Sequence, residues 1–245
     1  RRPASSGAAS SPLVELREDS LRCDRVHEYW TLAATHFAKP TARSASLRLL
    51  SMPDTGGDLN VATQLRFFAG GHSERDAAAR EASQMETATS EVSRLRECIL
   101  RQRSLLFVEA PLVARHGLHG AAGAGIPGVE ASSDAIYELR RYQLKLGYDT
   151  VPRFLEMYGS GLPSKLSAEG TDATTSLVTL LYTEVGSLNE VIELWRHGRG
   201  TTAMEKSRQA ARGAAEWRRA VAEIAGLAVS FTTTIHKPVG CSPWQ

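Results

Sequence analysis

The sequence predicts an α+β fold in which two βαββαβ units follow one another and pack sheet to sheet. Three observations predict it. Segments of the first half recur in the second half in the same order, at a nearly constant offset. Each half alternates short β-branched or aromatic runs with amphipathic helical runs, in the order strand, helix, strand, strand, helix, strand. A glycine-rich stretch separates the halves.

The repeat is legible residue by residue. Leu13-Val14-Glu15-Leu16-Arg17 aligns with Ile136-Tyr137-Glu138-Leu139-Arg140 at a shift of 123. With two inserted residues, Val26, Tyr29 and Trp30 match Val151, Phe154 and Leu155. Gly57-Asp58-Leu59-Asn60 aligns with Gly186-Ser187-Leu188-Asn189 at a shift of 129, which places Leu65 on Leu194. Pro111 and Pro238 close the two copies. Between them, Ala114–Asp134 carries five glycines, which cost backbone entropy and offer no packing, so it reads as a linker. His116 and His119 lie there as HxxH, but a Gly/Ala setting supplies neither a rigid helix nor a third ligand, and no metal is expected.

Each element is justified in order. The first strands are short, 13–18 and 135–142. The first helices place Val26, Tyr29, Trp30 and Ala33, and then Val151, Phe154, Leu155 and Tyr158, at spacings of three and four, on one face. The second strands, Ser46–Met52 and Leu177–Glu184, lead through Gly56-Gly57 or Gly186 into third strands at 59–67 and 188–196, a hairpin pattern. The second helix of the first copy starts near Ser73 and carries Ala78, Ala82, Met85, Ala88, Val92, Leu95 and Ile99. Its counterpart opens on Thr202 with Glu205 three residues on, a capping-box spacing. Fourth strands are read at Leu105–Glu109 and Val229–His236. This order is the ferredoxin-like unit. Its sheet has one bare face, and two units in one chain can cover each other, which predicts a pseudo-dimeric α+β barrel. The boundaries are a tail at 1–12, a first unit at 13–112, a linker at 113–133, a second unit at 134–238 and a tail at 239–245.

Composition excludes several classes. The 245 residues are 42% hydrophobic and 23% charged, with a formal net charge of +2, so bulk electrostatics call for no polyanionic partner. No apolar run reaches the ~18 residues of a membrane span. Cys23, Cys98 and Cys241 are odd in number and far apart, which argues for a reducing compartment. Residues 1–12 hold two Arg, four Ser and three Ala and no acid, as a mitochondrial transit-peptide remnant would.

Ile136–Lys145, reading IYELRRYQLK, and Thr183–Trp195, reading TEVGSLNEVIELW, resemble the opening strand and central hairpin of the NIPSNAP family, and Trp217 fits the same pattern. The resemblance is clear over 134–238 and weak over 13–111, where Gln64 stands for Glu193 and Arg66 for Trp195. It implies the dimeric α+β barrel superfamily and a mitochondrial location. It implies no established catalytic residue and no cofactor. The function expected is that of a non-catalytic structural or accessory subunit, meeting other protein subunits of a larger mitochondrial complex. Its membrane association would be peripheral at most, and it would bind no nucleic acid. The alternative is a small-molecule or haem-binding enzyme, monooxygenase-like, with its pocket in the C-terminal unit.

The residues that would carry such a pocket follow from strand alternation. Glu138 and Arg140 share one face of the first strand of the second unit; Asn189, Glu193 and Trp195 share one face of the third. Adjacency of these strands predicts a polar cluster facing the sheet interface, with a structural role, because Glu15 and Arg17 repeat its first pair. The Lys206, Arg208, Arg212, Arg218 and Arg219 series reads as a solvated basic helix face. Pro243-Trp244 at the end reads as a docking element for neighbours.

Overall fold

A computed structural model of the chain describes residues 11–39, 41–88, 90–125 and 134–245. Readings placed on residues 1–10 and 126–133, and on the side chains of Met85 and Ala88, lie outside the described residues.

The first unit comprises β1 (Leu13–Leu21), α1 (Val26–Ala38), the short α2 (Ala42–Ser46), β2 (Leu47–Thr55), β3 (Val61–Phe68), α3 (Gly71–Ala88), α4 (Ser90–Glu97) and β4 (Ile99–Glu109). A four-residue helix, α5 (Leu112–Arg115), follows. The second unit comprises β5 (Ile136–Leu144), α6 (Thr150–Leu166), β6 (Thr175–Val185), β7 (Glu190–His197), α7 (Gly200–Gly213), α8 (Ala215–Leu227) and β8 (Ala228–Pro238). The tandem βαββαβ order is therefore present.

The strands close a barrel in the order β1-β3-β2-β8-β5-β7-β6-β4. The two sheets face each other across its interior, and they also join edge to edge. One seam pairs Ser51–Thr55 of β2 with Ile235–Pro238 of β8; the other pairs Leu106–Glu109 of β4 with Leu181–Val185 of β6. Closure satisfies the edge strands that either sheet alone would expose. One end of the interior is packed, with Val14, Leu16, Leu65 and Phe107 meeting Tyr137, Leu139, Ile192 and Leu194; the other end holds a polar cavity of about 270 Å³ lined by Glu18, Arg141 and His236. Register bears out the repeat: Leu16 pairs with Leu65, and Leu139 with Leu194.

Four local expectations need correction. The second helix of the second unit is split in two. The break falls at Ala214, directly after Gly213, where the glycine's low helix propensity lets the axis turn. Thr202 does not cap: α7 starts two residues earlier, because Gly200 at φ +66° turns the chain there, and Arg199 at the N-cap makes no side-chain cap bond. Strand β4 begins at Ile99 rather than Leu105, since the polar run Arg101-Gln102-Arg103 pairs with β1 despite lacking an apolar face.

The fourth correction concerns the C-terminal tail. Trp244 is fully buried within the interior cluster of the barrel rather than offered to a neighbour. Its indole N–H donates to the Gly123 carbonyl at 3.0 Å, and its backbone N–H donates to Arg48 O at 2.9 Å. His119 meets it edge-on at 5.4 Å, so the first half of the linker and the C-terminal tail plug one barrel mouth together.

Candidate functional site

Alternation along β5 sends Tyr137 and Leu139 into the barrel and Glu138, Arg140 and Tyr142 to the opposite face, under the helices. On β7, Ile192 and Leu194 point inward, while Val191 and Trp195 pack on the helix side and Glu193, alternating with them, meets Tyr142 and Trp195 there. Glu138, Arg140, Glu193 and Trp195 are thus brought together, but between the sheet and helices α6, α7 and α8, not at the sheet interface. Both strand faces are half apolar, so alternation groups these residues without saying which face the other sheet covers. Asn189 is not among them. It sits in the β6–β7 turn at φ +60°, and its amide donates to Lys145 O at 2.8 Å and Gly147 O at 3.1 Å.

The cluster is a network of buried charge. Glu138 is fully buried and accepts from Arg140 Nε at 2.7 Å, from Arg208, and from His197 Nε2 at 3.2 Å. Burial alone would raise its carboxyl, yet these bonds and the Arg140 charge hold it well below the usual carboxylate range. Burial likewise works against the Arg140 charge, and Glu193 and Glu138 overcome it. Burial lowers the His197 imidazole, and Glu138 offsets only part of that. A neutral ring would donate through Nε2 to Glu138 and accept at Nδ1 from Thr175 Oγ1, 2.9 Å away. Ser207 Oγ extends the chain by donating to Thr175 Oγ1 at 2.9 Å. Glu193 accepts from Tyr142 OH at 2.5 Å and from Trp195 Nε1 at 2.6 Å.

Above this floor lies a cavity of about 500 Å³. Its walls are Trp195, Trp217, Leu166, Ala211, Val221 and Phe231, and its polar groups include Glu138, Arg140, His197, Thr175, Ser207, Arg208 and Lys165. Lys165, on α6, is the residue that the sequence reading missed. Its ammonium nitrogen lies 3.8 Å from the Trp195 ring centroid and 4.3 Å from that of Trp217. A signal was available: Phe154, Tyr158 and Lys165 continue one face of α6, so a lysine falls in register with its buried stripe. Arg208 was missed for a related reason. It belongs to the basic series on α7, but it turns inward to Glu138, and Arg212 and Arg218 line the cavity too, while Lys206 and Arg219 are exposed.

The first unit repeats the frame and closes the space. Gln64 and Arg66 hold the register positions of Glu193 and Trp195. Arg66 is buried, bonds Gln64 and lies over the Phe37 ring at 5.6 Å. Asp19 gathers Arg17, Gln64 and Gln102 at 3.0–3.1 Å. Among the described residues, what remains there is a cavity of about 20 Å³. The repeated Glu15–Arg17 pair thus builds a filled polar layer in one unit and the floor of an open chamber in the other.

Haem does not fit the chamber. An axial ligand would be required, His197 is the one imidazole lining it among the described residues, and both of its nitrogens are engaged. Among the described residues no group of three or more His, Cys, Asp or Glu is placed to hold a metal ion.

The segment that builds the chamber, residues 137–243, matches the NIPSNAP family model. Over that segment the chain is similar to the NIPSNAP family. None of the curated proteins matches the chain. Among solved structures, a candidate monooxygenase from Lactobacillus acidophilus is 12% identical with a TM-score of 0.56, covering 93% of this chain and 95% of its own. An anthrone oxidase-like protein is 10% identical with a TM-score of 0.57, covering 94% and 92%. A NIPSNAP family protein from Agrobacterium tumefaciens is 20% identical with a TM-score of 0.40, covering 47% of this chain and 95% of its own. The two likenesses that span both units show the shared fold, an eight-stranded α+β barrel, and the NIPSNAP match falls on its second half.

Proposed function

We propose that the second unit binds a small, mostly apolar organic molecule with a carbonyl or carboxylate headgroup, and that the first unit serves as its structural partner. One observation carries this reading: among the described residues the same frame leaves about 500 Å³ open in the second unit and about 20 Å³ at the matching place in the first. Packing interiors rarely leave a void of that size, and a chamber of this volume with apolar walls and a few convergent polar groups is the usual form of a ligand site. Arg140 and Arg208 supply donors for an acidic or polarised oxygen, and the indoles of Trp195 and Trp217 suit a flat apolar body. The full-length neighbours described as monooxygenase and anthrone oxidase-like agree with small-molecule chemistry at the level of fold only.

Titration of the full chain with a panel of aromatic ketones and carboxylates, read by quenching of tryptophan fluorescence, tests it. Saturable binding should appear in the wild-type protein and vanish in Ala211→Trp, which fills the chamber. Equal quenching in both would end the proposal.

A second reading, an accessory subunit of a mitochondrial assembly, is favoured by one surface. Leu146, Tyr148 and Leu188 are 82%, 102% and 62% exposed, on two loops tied together by the Asn189 amide. Such a group suits contact with a protein neighbour. Size-exclusion of solubilised mitochondria tests it, and elution only as a free 26.6 kDa species would exclude it.

A further inference from the structure

Five lysines are present in the chain, and four of them, Lys39, Lys145, Lys206 and Lys237, are exposed. Lys165 alone is buried, at 9% exposure, and it lines the chamber. Its Nζ has no hydrogen-bond acceptor. The nearest carboxylate oxygen, Glu193 Oε2, is 4.0 Å away and already accepts from Trp195. An ammonium that serves only a structural purpose normally satisfies its three donors. Here two indole faces hold the group in place and leave the nitrogen beside an apolar chamber.

We propose that Lys165 is a carbonyl-condensing amine: its Nζ attacks the carbonyl carbon of an apolar ketone or aldehyde held in the chamber and forms an imine. This names the substrate class of the site proposed above and rests on that reading. The bookkeeping is closed without an oxidant or reductant. The nitrogen lone pair forms the N–C bond as the carbonyl π pair moves to oxygen. The resulting carbinolamine loses its hydroxyl as water, the nitrogen lone pair completes C=N, and the last proton leaves nitrogen. Glu193, 4.0 Å from Nζ, is the carboxylate placed to take that proton and return it.

Electrostatics support the same role. The charged groups facing Nζ are Glu193, Glu138 and Arg140 on the sheet and Arg208 on α7, and Tyr142 donates to Glu193 beside it. Burial lowers the amine to about 7, with Arg140 and Arg208 adding to that and the two carboxylates opposing it. A desolvated lysine flanked by other cations is the usual way to obtain a neutral, nucleophilic amine near pH 7, where surface lysines stay protonated.

The test uses the full chain and an aryl-substituted pentane-2,4-dione, which condenses with an amine to a conjugated, ultraviolet-absorbing enaminone. The expected result is one adduct per chain, a mass gain of the probe less one water, mapped to the peptide holding Lys165. Its rate should rise with a midpoint near pH 7. Lys165→Met and Lys165→Arg should abolish it, the second keeping the charge between the indoles should the first fold poorly. Adduct spread over the exposed lysines, or unchanged in both variants, overturns the proposal. A ketone-free analogue of the probe separates the two readings. If it quenches tryptophan fluorescence saturably while no adduct forms on wild type, the amine role is wrong and the chamber stands. If it does not bind at all, both are wrong.

Discussion

Arg140 is the charge on which the floor of the chamber depends. It lies 2.7 Å from Glu138 and 3.7 Å from Glu193, two carboxylates with almost no access to water. Removing one partner of a buried network costs more than the network contributes, because the remaining charge is stranded. Arg140→Leu should therefore lower unfolding stability by about 3 kcal/mol in urea titration. The pH dependence has two signed parts. Glu138 is depressed in the folded state, so its contribution is present above the ordinary glutamate range near ~4.3 and is lost as pH falls through the lower folded value. Lys165 is depressed to about 7 against ~10.4 unfolded. Between those values the unfolded chain holds the proton and the folded chain does not, so stability rises with pH. The stability of wild type relative to Lys165→Met should accordingly increase from pH 7 to pH 10 in thermal or urea melts, and a flat difference would contradict the assignment. At this scale the sequence showed four of the five expected residues that meet, through alternation. It misplaced Asn189, because a turn residue one position before the strand looks like part of it. It missed Lys165 and Arg208 because basic residues on helices usually face water.

Helices α6 and α8 pack tightly at Gly161, where an added Cβ would stand 2.6 Å from the Ala220 Cβ and 3.3 Å from the Trp217 Cα. That small-on-small contact sets the distance of Trp217 from Lys165, one turn further along α6. Gly161→Val should cost about 1–3 kcal/mol through overpacking and should shift the emission of the chamber tryptophans. An unchanged melt and spectrum would mean that the helices yield without disturbing the site. Strand and helix order, the hairpins and the internal offset were all readable, since period and turn glycines are local signals. The break at Ala214 and the polar first half of β4 were not. A helix break that serves packing on another helix, and a strand held by pairing with β1, are tertiary effects with no local mark.

At the scale of the molecule the two units share one interior, and Trp244 completes it. Trp244→Ala should destabilise by about 3–5 kcal/mol, and it should do so in a single transition, because the same cluster holds residues of both sheets. Two separated melts would show that the units are independent. The seams also differ in reach along the chain. Leu106–Glu109 meets Leu181–Val185, whereas Ser51–Thr55 meets Ile235–Pro238, across most of the sequence. During synthesis, β2 leaves the ribosome long before β8 exists. Until β8 has been made, the nascent first unit carries an unpaired strand edge and an uncovered apolar sheet face, a state prone to wrong pairing. Closure of the barrel is therefore set by the emergence of β8 rather than by how fast the first unit folds.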